Sequence, residues 1–217
     1  MQTPANQQSA VLTPEVEEDE LVFTPSAVTE VKPKPKLSLV ADFHPVLKEV
    51  LPEYDFGCES YEDRKAFADA MTDTMRGTGG VGLSACQVGY KTRMFVMDRI
   101  DVAAAKRTET LVCYNPKIIE ASDEVTAKRE GCLSFPGLAL QIKRPKSVKV
   151  QFYDEEENEI VLELTDMDAK VFQHELDHLN GILFTTKVKR EVLDWERGKQ
   201  RKLLKKYKKF YNVFAGK

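Results

Sequence analysis

Residues 165–181 read TDMDAKVFQHELDHLNG. Thr165 or Asp166 can cap a helix running from Met167 to about Leu179, and Asn180-Gly181 supplies a left-handed stop. On that helix His174 and His178 project from one face at a spacing able to grip a single cation, with Glu175 beside them. The helix is therefore expected at the centre of the molecule, and the pattern reads as metal-assisted hydrolysis.

Outward from this helix the chain alternates irregularly between strand and helix patterns. Val148, Val150 and Phe152 alternate with Lys149 and Gln151, as in a half-exposed antiparallel strand, and the acidic turn DEEEN leads into Ile160 to Leu164 as a hairpin partner. Met94 to Met97 and Leu111 to Tyr114 read as further strands. Ala66, Phe67, Ala70, Met71, Thr74 and Met75 recur at three and four within an amphipathic helix from Glu59 to Arg76. A last long helix, from about Arg190 to Phe214, stripes Leu203, Tyr207, Phe210 or Tyr211, and Phe214 against lysines. No repeat of 20 to 50 residues is present. The expected class is α+β, with antiparallel sheets around a central metal-binding helix, a long C-terminal helix and a disordered N-terminal tail.

The length of 217 residues suits one core plus a polar extension. Apolar runs of a few residues rule out a bilayer span, and the first residues lack the basic start and apolar run of a secretory leader. A cytoplasmic location follows as the expectation, and with it four reduced cysteines. Residues 1–36 hold five of the ten prolines, no glycine, no arginine and the run EVEEDE, then end in KPKPK. They read as a disordered acidic tail, opposite in composition to an Arg-rich transit peptide. The net charge of −3 hides residues 187–209, where eleven Lys or Arg face three acids. That segment is either a solvated helix face or a surface for a polyanion such as RNA.

Two histidines leave a hydrolytic site one protein ligand short. His44, beside Pro45, is a poor third. Glu191 and Glu196 are available, as in a thermolysin-like zinc endopeptidase, but both sit in the basic helix. Cys132 in EGCLS is better, because Gly131 and Ser134 mark a turn where the backbone can bring a thiolate to a metal. A third string, GGVGLSACQ at 79–87, lacks the Lys-Ser/Thr ending of a phosphate loop. Its glycines permit close approach of a ligand, and Gln87 offers an amide donor suited to a developing oxyanion.

GVGLSACQ at 80–87, EGCLS at 130–134 and QHELDH at 173–178, in this order, closely resemble the three motifs of peptide deformylases. HPVLK at 44–48, YNPKI at 114–118 and RPKSVKV at 144–150 add to the likeness, which covers about residues 37–190 as a catalytic domain followed by the basic helix of 191–217. The resemblance implies removal of the N-formyl group from the initiator methionine of nascent polypeptides. It implies one divalent metal on Cys132, His174 and His178, natively Fe2+, with Zn2+, Ni2+ or Co2+ able to substitute. Glu175 would be general base and then acid, and Gln87 with the Leu133 N–H would stabilise the oxyanion. Peptide would lie along Gly80, Val81 and Gly82, and Val81, Leu133, Phe135 and Val171 would take the methionine side chain. Asp177 would orient a ligand or the helix. The basic helix would meet ribosomal RNA, and the enzyme would act as a monomer without membrane contact. The alternatives left by the residues are the zinc endopeptidase and an inactive ribosome-binding relative. One departure stands out: the family usually has Ala where this chain has Ser84, and the extra hydroxyl is expected to leave activity intact while altering loop mobility or substrate preference.

Overall fold

The structure, a computed structural model, describes residues 34–206. Its elements in chain order are helix α1 (Tyr61–Gly77), strands β1 (Gly82–Ser84), β2 (Met94–Asp101), β3 (Lys106–Ala121), β4 (Val125–Gly131), β5 (Ala139–Pro145), β6 (Ser147–Tyr153) and β7 (Glu159–Thr165), and helices α2 (Asp166–Leu179) and α3 (Arg190–Lys206). Every strand pairing is antiparallel. One sheet has the order β1-β2-β3-β6-β7 and the other pairs β4 with β5. The α+β reading holds.

The larger sheet packs α1 on one face and α2 on the other. On β2, Met94 and Val96 point to a cluster with Phe67, Met71 and Met75 of α1, while Phe95 and Met97 point to the cluster that holds Phe172 of α2. Alternation puts successive side chains on opposite faces, and because both faces are covered the strand reads as an unbroken apolar run. Phe172 packs edge-on against Phe95 at 5.0 Å and is fully buried. Val148, Val150 and Phe152 of β6 join the same cluster, as their alternation foretells.

Helix α1 starts where Ser60 accepts the Asp63 N–H at 3.1 Å, with Glu62 and Asp63 favourably placed in its first turn. Helix α2 begins after Thr165, the expected cap position, but without the expected side-chain bond. Neither Thr165 nor Asp166 caps it with a side chain; Asp166 instead takes φ of 49° and gives its N–H to the Lys146 carbonyl. Its end is as foreseen: Gly181, at φ of 68°, donates to the His178 carbonyl, and a Cβ there would lie 2.6 Å from the Lys48 carbonyl oxygen.

Three strands are additions to the sequence reading: β1, a three-residue strand inside the glycine-rich segment, and the pair β4 and β5. β4 is polar and largely exposed, and β5 alternates Leu140, Ile142 and Arg144 inward, so a buried arginine hides its period. β3 runs further than Leu111 to Tyr114 because its polar ends pair with β2 and, past a bulge between Tyr114 and Lys117, with β6. Residues 1–33 of the tail expected over 1–36, and the last helix beyond residue 206, lie outside the described residues. None of the described helices is long and apolar enough to cross a membrane.

Candidate active site and metal centre

Three chain segments converge. The glycine-rich segment carries the chain from α1 into β1 and on to a short 3-10 turn, Ala85–Val88, that presents Gln87. The turn after β4 presents Cys132, and the inner face of α2 presents His174, Glu175 and His178. The Cys132 sulfur and one ring nitrogen from each histidine lie within 4.8 Å of one another, with Sγ 3.2 Å from His178 Nε2. A tetrahedral ion with bonds of about 2.3 Å to sulfur and 2.0–2.1 Å to nitrogen sets such pairs about 3.5 Å apart, so the donors fit a small divalent cation. One thiolate and two imidazoles suit zinc or another first-row metal.

The donors are held from behind. Glu130 Oε2 lies 3.0 Å from His174 Nδ1, and Arg144 donates to both Glu130 oxygens at 2.7 and 3.0 Å. Burial pushes the Glu130 carboxyl up, but bonds from His174 and Arg144 outweigh it and hold it down at about 2. As an ionised carboxylate it only accepts, so Nδ1 carries the proton and Nε2 is left bare for a metal. Arg144 Nη1 continues to Asp177 at 2.8 Å, and Lys187 reaches Asp177 at 3.0 Å. Asp177 thus connects to His174 through Arg144 and Glu130. Burial, then the neighbouring His174 and Arg144 charges, keep His178 neutral, whereas the Cys132 and Glu130 contacts overcome burial at His174 and raise it to about 10. The proton on that site is one a cation displaces.

Glu175 is buried, which raises its carboxyl against the opposing pull of His174 and Ser84. Ser84 Oγ donates to its Oε2 at 2.7 Å, so the hydroxyl faces Glu175 and not the substrate side of the loop. A Cβ on Gly82 would come within 2.5 Å of Glu175 Oε1, and one on Gly80 within 2.6 Å of Leu133 Cδ1. These two glycines make room for side chains of the site itself, a reason beyond access for a ligand. Gln87 is fixed at both ends: Oε1 accepts the Ser84 N–H at 2.9 Å, and Nε2 lies 3.2 Å from Ser134 Oγ and 3.4 Å from Cys132 Sγ.

A cavity of about 590 Å³ opens over these groups. Gly80, Val81, Gly82, Gln87, Cys132, Leu133, Phe135, Val171, His174 and Glu175 all line it, while His178 lies behind. Sequence reasoning missed Glu130 and Arg144. Glu130 stood inside the EGCLS string, but only the fold shows its pairing with an arginine on the neighbouring strand. It also missed Lys170, buried at the cavity wall with Nζ on the Arg129 carbonyl at 2.8 Å. The other proposed third ligands are elsewhere: Glu196 pairs with Lys199 and Arg129, Glu191 is exposed on α3, and His44, itself exposed, caps the short turn Pro45–Lys48.

The sequence profile of the family described as polypeptide deformylase matches residues 36–193. The chain is 36% identical over 182 residues to peptide deformylase 1B, chloroplastic/mitochondrial, of Arabidopsis thaliana, covering 84% of this chain and 65% of that one. It is 40% identical over 150 residues to the peptide deformylase of Borreliella burgdorferi, covering 69% and 84%. The crystal structure of a plant peptide deformylase of type 1B superposes with a TM-score of 0.69 at 35% identity, covering 84% of this chain and 97% of that one.

Proposed function

The chain belongs to the polypeptide deformylase family, and on that footing we propose that it hydrolyses the N-formyl group from the initiator methionine of nascent polypeptides. The observation that carries this reading is the convergence of Cys132, His174 and His178 on one point beside Glu175, with Cys132, His174 and Glu175 lining one cavity.

Cys132, His174 and His178 would hold one divalent cation, Fe2+ by the family resemblance, with Zn2+, Ni2+ or Co2+ suited to the same donors. When bound, such a cation supplies Lewis acidity and brings a water toward deprotonation near neutral pH. Glu175 accepts the proton of the attacking water and returns it to the departing amine. Its burial supports this, because a carboxyl shielded from solvent is a stronger base than one in water. Gln87 Nε2 and the Leu133 N–H donate to the oxygen that gains charge, each worth about 3 kcal/mol in sites of this kind. The peptide pairs with the backbone of Gly80, Val81 and Gly82 as an added strand, and its methionine side chain enters among Val81, Leu133, Phe135 and Val171.

On this reading the catalytic unit spans 37–190, after an acidic tail of 1–36 and before a basic C-terminal segment of 191–217, whose described part is α3. That helix would approach ribosomal RNA phosphates, and the enzyme acts as a monomer in the cytoplasm, where its free thiols stay reduced. Loss of residues 195–217 should weaken ribosome cosedimentation at low salt; unchanged cosedimentation removes that partner. For the activity itself, the test is formate release from formyl-Met-Ala-Ser under anaerobic conditions, with metal analysis. The wild-type chain should release formate, and Glu175→Ala should keep its metal while losing about 10²- to 10⁴-fold in rate. A metal-loaded wild type that leaves the formyl group in place refutes the reading.

A further inference from the structure

Ser84 ends strand β1, fully buried against α2, and does not line the cavity. Two of its groups reach the site. Its N–H holds Gln87 Oε1 at 2.9 Å, a backbone bond that any residue at this position would make. Its hydroxyl lies 2.7 Å from Glu175 Oε2 and 3.0 Å from the Glu175 carbonyl oxygen. The hydroxyl has one hydrogen, and the carboxylate oxygen is both nearer and the stronger acceptor. The other carboxylate oxygen, Oε1, faces Gly82, where the absence of a Cβ leaves it room at the cavity wall.

A glutamate side chain turns about three bonds, and α2 fixes only the first atom of it. We propose that Ser84 is a positioning residue that pins Glu175 through Oε2 and so reserves Oε1 for proton transfer. This rests on the deformylase reading and deepens it: the general base is held in one rotamer by a side chain that touches neither substrate nor metal.

Because the bond to Gln87 comes from the backbone, Ser84→Ala removes only the hydroxyl. With formyl-Met-Ala-Ser, Ser84→Ala should lower kcat about tenfold, the worth of a hydrogen bond to a charged group, while KM and bound metal stay within about twofold of wild type. Ser84→Thr, which keeps the hydroxyl, should recover most of the loss. Added to Glu175→Gln, Ser84→Ala should cost nothing further, since the side chain it steadies no longer acts as a base; this cycle decides the matter alone if threonine does not fit. A crystal structure of Ser84→Ala should show the Glu175 carboxylate turned from Gly82 or spread over several rotamers. The proposal is overturned by a wild-type kcat in Ser84→Ala, by an equal further loss in the Glu175→Gln background, or by an unmoved carboxylate in the crystal. An inactive wild-type chain refutes the functional reading instead, and the carboxylate geometry then still decides the role of Ser84.

Discussion

Replacing Glu130 by glutamine probes the support behind the metal donors with almost no change of shape. Oε2 accepts from His174 Nδ1 at 3.0 Å and from Arg144 Nη2 at 3.0 Å, while Oε1 accepts from Arg144 Nε at 2.7 Å. An amide has one oxygen, so at least one of these three buried donors must face an NH2 group. The turn that loses least keeps oxygen at the Oε2 position and strands Arg144 Nε, which leaves the arginine with Asp177 as its remaining carboxylate partner. An unsatisfied buried donor costs about 2 kcal/mol, or a drop in Tm of about 4–8 °C for a chain of this size. The bond to His174 survives only as a bond to a neutral acceptor, and loss of such orienting partners weakens metal affinity about 10- to 100-fold. Calorimetry on the metal-free protein reads the first effect, and chelator competition with metal analysis reads the second. If Glu130→Gln binds metal as tightly as wild type, Glu130 does not orient His174 and the reasoning fails.

Gly82→Ala should force Glu175 aside, since the added carbon lies 2.5 Å from Oε1; a displacement near 1 Å predicts a fall of about 10²-fold in kcat, and unchanged kinetics would contradict the packing. Phe172→Ala removes a fully buried ring at the centre of the sheet–helix interface and should cost about 3–5 kcal/mol in urea unfolding. At Asp98, burial pushes the carboxyl up, but donors from Arg76, Thr110 and Arg107 outweigh it and hold it below its ordinary value. A depressed carboxyl stabilises the fold above the unfolded-state value and loses that contribution as pH falls through the folded-state value. Asp98→Asn should therefore have a lower Tm at neutral pH and a shallower decline in Tm on acidification than wild type, and parallel declines would remove Asp98 from the acid response.

The sequence disclosed whatever depends on local periodicity or on motif strings. The α2 helix, its Asn180-Gly181 stop, the β6–β7 hairpin and the facing His174 and His178 all follow from spacings of two or four residues. What escaped depends on contacts distant in the chain. β4 and β5 hide their period because Glu130 and Arg144 are buried charges that satisfy each other 14 residues apart, and at the start of α2 Thr165 takes the cap position without a side-chain bond while the Asp166 N–H goes to the distant Lys146 carbonyl. Ser84 was visible as a departure, but the direction of its hydroxyl was not, since the Glu175 that receives it is 91 residues away.

The convergence of a turn cysteine and two helix histidines on one cation is tested most directly by X-ray absorption at the metal edge of the zinc-loaded chain. The geometry predicts one sulfur at about 2.3 Å and two imidazole nitrogens at about 2.0–2.1 Å. A shell of nitrogen and oxygen alone, with no sulfur, would contradict it.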